Sequence, residues 1–265
     1  MEWRDEGTVI GVRRHGETAV VLELMTREHG RHRGLVHGGR SRKKQPVLQL
    51  GNRVVASWRG RLDEHLGTFA VEPVMLRAGD LMERPVSLHG VQAASALLRL
   101  LPEREAHPRL AEGLDVLLGN LRDPEVAGPL MVRFEAQVLD ELGYGLDLSR
   151  CAATGRTGDL THVSPKTGRA VCREAAAPYA DRLLELPSFL THRPGDNRAG
   201  SLGDILAGFA LTGHFLDRLR DESGIERPEG ALDPRAAFID AVRRGLGSER
   251  TAGGPTAPQR THAFA

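Results

Sequence analysis

Positive charge is concentrated in one short stretch of this sequence, LVHGGRSRKKQP, residues 35–46. Glycine has no Cβ, so a bulky anion can approach the backbone closely where glycine occurs. Lysine and arginine bind phosphate backbones favourably because they release condensed counterions. The stretch combines both residue types and contains no acidic residue. It therefore predicts a phosphate-binding site. The residues of this site would be Gly38, Gly39, Arg40, Arg42, Lys43 and Lys44.

The excess of positive charge extends beyond this stretch. Residues 27–61 contain 10 basic residues and one acidic residue, Glu28, although the whole chain has a net charge of only +1. Most charge runs are solvated surface loops, but segregation this strong favours a nucleic-acid interface. The remaining predicted contacts for nucleic acid are Arg31, Arg33, Arg59 and Arg61.

Residues 1–79 are predicted to form the element that carries this charge. Five short runs rich in Val, Ile and Leu are separated by glycine and polar turn residues, which is typical of a small closed barrel with an OB or SH3-like fold. Val54, Ala56 and Trp58 share one face of the fourth strand, so we expect Trp58 in the barrel core. Aromatic residues make up only 4% of the chain, so we expect contacts to phosphates more than to bases.

The rest of the chain is predicted to be mainly helical, which gives an α+β multidomain protein. Residues 80–148 have a helical period, and residues 81–148 carry a net charge of −5. Residues 149–178 form a loop-rich insert with a hairpin turning at Ser164–Gly168. Helices are expected again over 179–247, the first of them beginning at PYADRLLEL, residues 178–186. Residues 248–265 have almost nothing to bury and are expected to be disordered.

No pattern in the sequence predicts an enzyme or a cofactor. Cys151 and Cys172 have the spacing frame of a CxxC…CxxC zinc site, but Thr154 and Ala175 replace the second member of each pair. His162 is the one further candidate ligand, and buried metal-free cysteines are the favoured interpretation. Among the nearby histidines, His29 and His37 are expected on one strand face and His32 on the other, so they should not converge.

Three features bear on location. The first residues, MEWRDEGTV, are not typical of a signal peptide, and no apolar run of 18 residues occurs. Two cysteines exclude a disulfide framework. A cytoplasmic protein is therefore expected.

One arginine in the acidic helical region suggests a partner site. Arg133 and Phe134 lie in VRFEAQVLDELGYG, residues 132–145, where Arg133 is the only basic residue between Arg122 and Arg150. It is either a surface arginine paired with an acid such as Glu141, or an anchor for an acidic peptide beside an apolar groove.

Three stretches in this order resemble the RecO family of bacterial recombination mediators. GTVIGVRRHGETAVVLELMTREHGRHRGLVHGGRSRKK resembles the opening of that family, FEAQVLDELGYGLDLSRC its Leu-Gly-Tyr helix leading to a cysteine, and VSPKTGRAVC its hairpin. With the domain order, the resemblance covers most of residues 1–175. It implies an N-terminal OB fold, a helical domain and a zinc-finger-like insert.

The resemblance also implies a function. The family binds single- and double-stranded DNA, anneals complementary strands and acts on DNA coated by the single-stranded DNA-binding protein, whose acidic C-terminal tail it recognises. With RecR it helps to load the RecA recombinase, which implies association with the nucleoid during repair. DNA contact transfers to the basic residues at 31–44, and tail recognition to Arg133 and the Phe134 helix. Many members hold zinc with four cysteines, and this chain departs from that pattern at Thr154 and Ala175.

The residues leave two other functions open. An OB-fold protein that binds RNA fits nearly as well, since phosphate contacts do not distinguish the sugar. A protein-interaction scaffold would use the basic loop to dock on an acidic protein surface.

Overall fold

The computed structural model describes residues 1–62, 64–191, 200–224 and 233–252. Within these ranges no helix is long and apolar enough to cross a membrane.

The N-terminal part is a closed five-stranded barrel. Its strands are hydrogen-bonded in the order β1-β2-β3-β5-β4. Their bounds are β1 Glu2–His15, β2 Ala19–Thr26, β3 Arg31–Val36, β4 Arg53–Arg59 and β5 Thr68–Met75. The predicted OB-type barrel is therefore confirmed.

Alternation of side chains along β4 places three residues inside the barrel. Val54, Ala56 and Trp58 are each 0% exposed, which confirms the predicted position of Trp58. The indole N–H of Trp58 donates to the Leu66 carbonyl at 3.1 Å, so its one polar group is satisfied. The barrel interior is thus mainly apolar, with His32 buried against Trp58 and Phe69.

The barrel is weakly closed between β3 and β5, and the helical part fills the opening. These two strands pair in parallel only at Leu35 and Thr68. Further along β3, Arg31 forms a parallel bridge with Glu103, and the Arg104 N–H donates to the Arg31 carbonyl at 2.8 Å. Residues 103–104 therefore act as an extra edge that joins the barrel to the helices.

Eight helices follow the barrel in the described part of the chain. Proline stands at the first turn of the longer helices α2, α3 and α4, where its missing N–H costs nothing. Ser201 and Asp204 form a capping box at the start of α7, and Gly224 ends that helix with φ +65°. The bounds are α1 Ala78–Met82, α2 Pro85–Leu98, α3 Pro108–Asn120, α4 Pro124–Glu141, α5 Arg173–Ala176, α6 Ser188–Thr191, α7 Leu202–Ser223 and α8 Pro234–Ala252.

The helical core contains an ion pair whose carboxylate is fully buried. Glu135 on α4 is 0% exposed, and Arg235 on α8 donates to its two oxygens at 2.7 and 3.0 Å. The Thr212 hydroxyl donates to the same carboxylate, and Arg235 also donates to the Phe209 carbonyl at 2.7 Å. These contacts join α4, α7 and α8 through one polar cluster within the leucine-rich core.

The insert is a small three-stranded sheet, with β6 Leu160–Val163 between β7 Ala170–Cys172 and β8 Leu184–Glu185. The predicted turn at Ser164–Gly168 is confirmed, since the Gly168 N–H donates to the Ser164 carbonyl at 2.9 Å.

The helix predicted for residues 178–186 was wrong. A 3-10 helix, Ala177–Arg182, leads instead into β8, where Leu184 pairs with Val163. Leu183 packs on the small apolar cluster around Cys151 and Cys172, whereas Leu184 packs on the helical core. Neighbouring side chains that point to opposite sides are typical of a strand.

At the C-terminal end, α8 runs to Ala252, five residues past the predicted end of the helical part at residue 247. The rest of the predicted disordered tail, residues 253–265, lies outside the described residues.

Candidate nucleic-acid interface

The basic stretch forms a compact run of turns between β3 and β4, residues 37–51, here called the turn segment. Gly38 adopts φ +63°, which favours glycine, and a Cβ at Gly39 would lie 2.5 Å from a Val20 methyl group. The Arg40 N–H donates to the Thr18 carbonyl at 3.1 Å. The turn segment is therefore held against the hairpin between β1 and β2.

Arg14 and the four cations of the turn segment have no carboxylate partner within the described part of the chain. Arg40 and Lys44 donate only to backbone carbonyls, those of Glu17 and His37. Arg14 projects from the end of β1 and lines the same cavity as Arg40. We name this set the cationic rim: Arg14, Arg40, Arg42, Lys43 and Lys44.

Arg31 is not available for phosphate contact, contrary to the prediction. Its side chain is 14% exposed and donates to the Glu23 carboxylate at 2.7 Å and to the Leu101 carbonyl at 3.0 Å. Burial alone would raise the pKa of Glu23, but hydrogen bonds from Arg99 and Arg31 outweigh it and lower that pKa. Arg31 therefore stabilises the junction between barrel and helices.

The other predicted arginines are separated from the cationic rim. Arg33 pairs with Glu103 at 2.5 Å, and Arg59 pairs with both oxygens of Glu2 at 2.9 and 3.0 Å. Because β4 runs antiparallel to β1, Arg59 lies beside the first residues of β1, whereas Arg14 is near the other end of that strand. Arg61 follows Arg59 and lies at the same distant end. The structure thus joins the predicted residues 40–44 with Arg14 and leaves out the other arginines.

Arg14 was missed in the sequence, although GVRRHG, residues 11–16, offered a signal. Two arginines there stand at the end of the first predicted strand, in a stretch of six residues that contains no acid. Only the strand register decides that Arg14, opposite Val20, shares a cavity with the turn segment.

The aromatic side chains of the barrel offer little free surface for stacking. Trp3 stacks on His29 with ring centroids 4.1 Å apart, and its neighbour Trp58 is 6.0 Å away in a near-parallel orientation. His32 also contacts Trp3, at 5.0 Å. His29 and His32 therefore meet at one ring, contrary to the expectation that they lie apart, because His29 precedes β3 instead of lying within it.

The insert does not fit a zinc ion. Cys151 and Cys172 are both buried free thiols, and the Cys172 N–H points at the Cys151 sulfur at 3.3 Å. Thr154 offers only a hydroxyl, 3.6 Å from the Cys172 sulfur, and Ala175 packs on the cluster as an apolar side chain. In the described ranges no three His, Cys, Asp or Glu side chains are grouped to hold a metal. Structural zinc requires four such ligands, so the donor set is incomplete.

Cys151 nevertheless keeps the environment of a thiolate ligand. Burial alone would raise its pKa, but the Thr154 hydroxyl and the backbone N–H groups of residues 172, 154 and 153 lower the pKa of Cys151 to about 6. Hydrogen bonds to the charged form favour that form. The hairpin therefore has the N–H donors that stabilise a cysteine thiolate, but it lacks the further ligands that a metal site needs.

Arg133 and Phe134 have different positions on α4. Phe134 is 3% exposed and belongs to the helical core. Arg133 is half-buried, donates to the Phe189 carbonyl at 2.8 Å and lies 6.0 Å from the Phe189 ring centroid. It does not pair with Glu141, which instead contacts His107 at 2.9 Å.

Comparison with known proteins assigns the family. The family model described as Recombination protein O N terminal matches residues 1–76, and the one described as Recombination protein O C terminal matches residues 83–222. The DNA repair protein RecO of Agrobacterium fabrum is 56% identical over 247 residues, covering 93% of this chain and 95% of the relative.

The chain belongs to the recombination protein O family. Other members of the RecO family are similarly close: the protein of Sinorhizobium medicae is 53% identical over 93% of this chain and 96% of its own, and that of Mesorhizobium japonicum 52% over 97% and 100%. The resemblance seen in the sequence is thereby confirmed. A general role in recombinational DNA repair follows from membership of the RecO family.

Proposed function

We propose that the chain is a non-enzymatic DNA-binding and strand-annealing mediator that grips phosphates with the cationic rim. The observation that supports this proposal is that some cations of the barrel are unpaired while others are paired with carboxylates. The cations of the rim have no carboxylate partner among the described residues, whereas Arg4, Arg27 and Arg59 are paired with Glu72, Glu112 and Glu2. An arginine already paired with a carboxylate gains less by binding a phosphate.

Annealing follows from the same charges. Two complementary strands repel each other through their phosphates, and a surface that neutralises several phosphates on each strand lowers this repulsion. The substrate we propose is single-stranded DNA coated by the single-stranded DNA-binding protein, in the cytoplasm at the nucleoid. The product would be a duplex, or a strand ready for RecA.

The partners we propose are those of the family. Arg133 is half-buried beside Phe189, and a guanidinium fixed by a backbone carbonyl is pre-organised for a carboxylate. This supports recognition of the acidic C-terminal tail of the single-stranded DNA-binding protein. We extend the proposal to cooperation with RecR in loading RecA, on family membership alone.

A matched pair of variants tests the DNA interface. The rim triple changes Arg40, Arg42 and Lys43 to Ala, and the paired triple changes Arg4, Arg27 and Arg59 to Ala. Each removes three positive charges from exposed positions of the same barrel. Fluorescence anisotropy with a labelled single strand should show at least a tenfold weaker affinity for the rim triple and less than a twofold change for the paired triple. Equal losses would mean that only net charge matters, and would overturn the site.

Matched RNA and acidic-protein ligands separate the rival functions. Wild type that binds an RNA strand at least tenfold more tightly than the DNA strand of the same sequence would favour an RNA-binding protein. For the tail, Arg133→Ala should weaken binding of an acidic C-terminal peptide without changing DNA affinity, whereas the exposed Arg109→Ala on α3 should change neither. Loss of both activities in Arg133→Ala would contradict a tail site.

A further inference from the structure

Two cavities adjoin each other between the barrel and the helices. One measures about 590 Å³ and is lined by Gly11, Arg14, Gly39, Arg40 and Arg99 among others. The other measures about 320 Å³, lies over α2 and the start of α8, and is lined by Ser95, Ala96, Pro234 and Ala237. Leu50 and Arg99 line both. We name the whole the interdomain cleft, with a cationic half and an apolar half.

Arg99 fixes the boundary between the two halves. Its guanidinium donates to the Glu23 carboxylate at 2.8 Å and to the Ile10 carbonyl at 2.5 Å. It reaches the barrel wall where Gly11 leaves space, because a Cβ at that position would lie 2.6 Å from both Arg99 and Glu23. The helical part thus contributes a positioned guanidinium to the floor of the cleft, next to the unpaired Arg14 and Arg40 of the barrel.

The cationic half has the chemistry of a phosphate site. Arginine recognises phosphate oxygens with its planar set of N–H donors, and a pre-positioned guanidinium loses less entropy on binding. Arg14 comes from β1, Arg40 from the turn segment and Arg99 from the end of α2, so three separate elements converge on this space. A single phosphate group placed there would meet the N–H donors of Arg14 and Arg40, while Arg99, which is paired with Glu23, holds the floor of this space in place.

The apolar half has the chemistry of a nucleobase site. Its walls are Leu50, Ala96, Pro234 and Ala237, which offer small apolar surfaces for the face of a flat ring. At its polar edge, His89 Nδ1 and Gln92 Oε1 are hydrogen-bonded to each other at 3.3 Å, so the second nitrogen of His89 and the amide nitrogen of Gln92 are the atoms that could bind a base. A base that enters this space must leave its stack, which costs least in a single strand.

We propose that the interdomain cleft holds one unstacked nucleotide of a single-stranded DNA, with its phosphate beside the unpaired Arg14 and Arg40 and its base in the apolar half. This inference rests on the proposed DNA-binding function and adds to it a preference for single strands over duplexes. A duplex keeps its bases stacked and paired, so it uses the cationic rim without filling the apolar half. Single strands therefore gain affinity from the cleft that duplexes do not.

Filling the apolar half with a side chain tests this proposal. Ala96 is half-buried on α2, and Ala96→Phe occupies the space of the base. The control, Val116→Phe, places the same ring on the exposed face of α3, where Val116 is 54% exposed. Anisotropy is measured with three labelled probes of about 12 nucleotides, a length within the range of one OB fold. The probes are oligo-dT, the abasic strand of the same length, and a duplex.

The expected result is a selective loss. Wild type should bind oligo-dT roughly fivefold more tightly than the abasic strand, at the low end of the contribution of one base contact. Ala96→Phe should lose that advantage yet bind the abasic strand and the duplex within twofold of wild type, and Val116→Phe should match wild type on all three probes. An unchanged oligo-dT affinity in Ala96→Phe, no advantage of oligo-dT in wild type, or an equal loss on all probes would each overturn the proposal.

The rim triple distinguishes this failure from failure of the proposed function. If the rim triple weakens binding of all three probes while Ala96→Phe changes nothing, the cleft inference fails and the DNA interface stands. If the rim triple binds all three probes as wild type does, the proposed interface itself fails. Thermal unfolding of Ala96→Phe within a few degrees of wild type establishes that the helices remain folded.

Discussion

The salt dependence of single-strand binding is the prediction that follows most directly from the charges on the barrel. For single strands, log K falls with log salt at a slope of about −0.7 for each phosphate neutralised. The cationic rim has five cations without a carboxylate partner in the described ranges. The structure therefore predicts a slope of roughly −3.5 for wild type if each of them meets one phosphate.

The two triple variants sharpen this prediction because they change the same net charge. The rim triple leaves Arg14 and Lys44, so its slope should fall to roughly −1.4. The paired triple removes arginines whose charge is already neutralised by Glu2, Glu72 and Glu112, so its slope should stay near that of wild type. Anisotropy titrations between about 50 and 200 mM salt give the three slopes. Equal slopes for the two triples, or a slope near zero for wild type, would refute the distinction between the unpaired cations of the rim and the arginines that are paired with glutamates.

Three further predictions concern the insert and the helical core. Purified protein should contain far less than one equivalent of zinc by elemental analysis, and a chelator should leave its unfolding temperature unchanged, since the donor set lacks two ligands; stoichiometric zinc would contradict this. In the Cys172→Ala variant, thiolate absorbance near 240 nm should appear with a midpoint near pH 6, because hydrogen bonds lower the pKa of Cys151 to about 6. Because the pKa of Cys151 is lower in the folded protein than in the unfolded one, the ionised thiol stabilises the fold. This contribution is complete above about pH 9 and is lost as the pH falls through 6. A midpoint at pH 8 or above would exclude the thiolate environment. Glu135→Ala should lower the free energy of unfolding by about 3–5 kcal/mol in urea titrations, because it leaves the Arg235 charge buried and unpaired, and a loss below about 1 kcal/mol would contradict that pairing.

Much of the barrel could be predicted because its pattern is local. Alternation along β4 placed Trp58 inside, and glycine and polar turn residues marked the strand ends. The hairpin turn at Ser164–Gly168 was equally local. A run such as LLEL, residues 183–186, is different, because four residues fit the helical period and the strand period equally well. Only pairing with β6 decides that Leu184–Glu185 form a strand.

The free and paired arginines could not be separated in the sequence. Arg31 stands in the most basic segment, yet its partners Glu23 and Glu103 lie 8 and 72 positions away and meet it only through the register of β2 and β3 and the approach of residues 103–104. Arg99 stands in a predicted acidic helical region, and nothing local indicates that it reaches the barrel. Charge patterns locate a basic region, but the pairing of charges depends on tertiary contacts.

Strand annealing by the two triple variants tests the central claim most directly. Complementary labelled strands are mixed with wild type, the rim triple or the paired triple at equal concentrations, and the rate of duplex formation is followed by fluorescence quenching. The rim triple should anneal at least tenfold more slowly than wild type, and the paired triple should keep the wild-type rate. A rim triple that anneals as fast as wild type, with its fold intact, would contradict the assignment of annealing to the cationic rim.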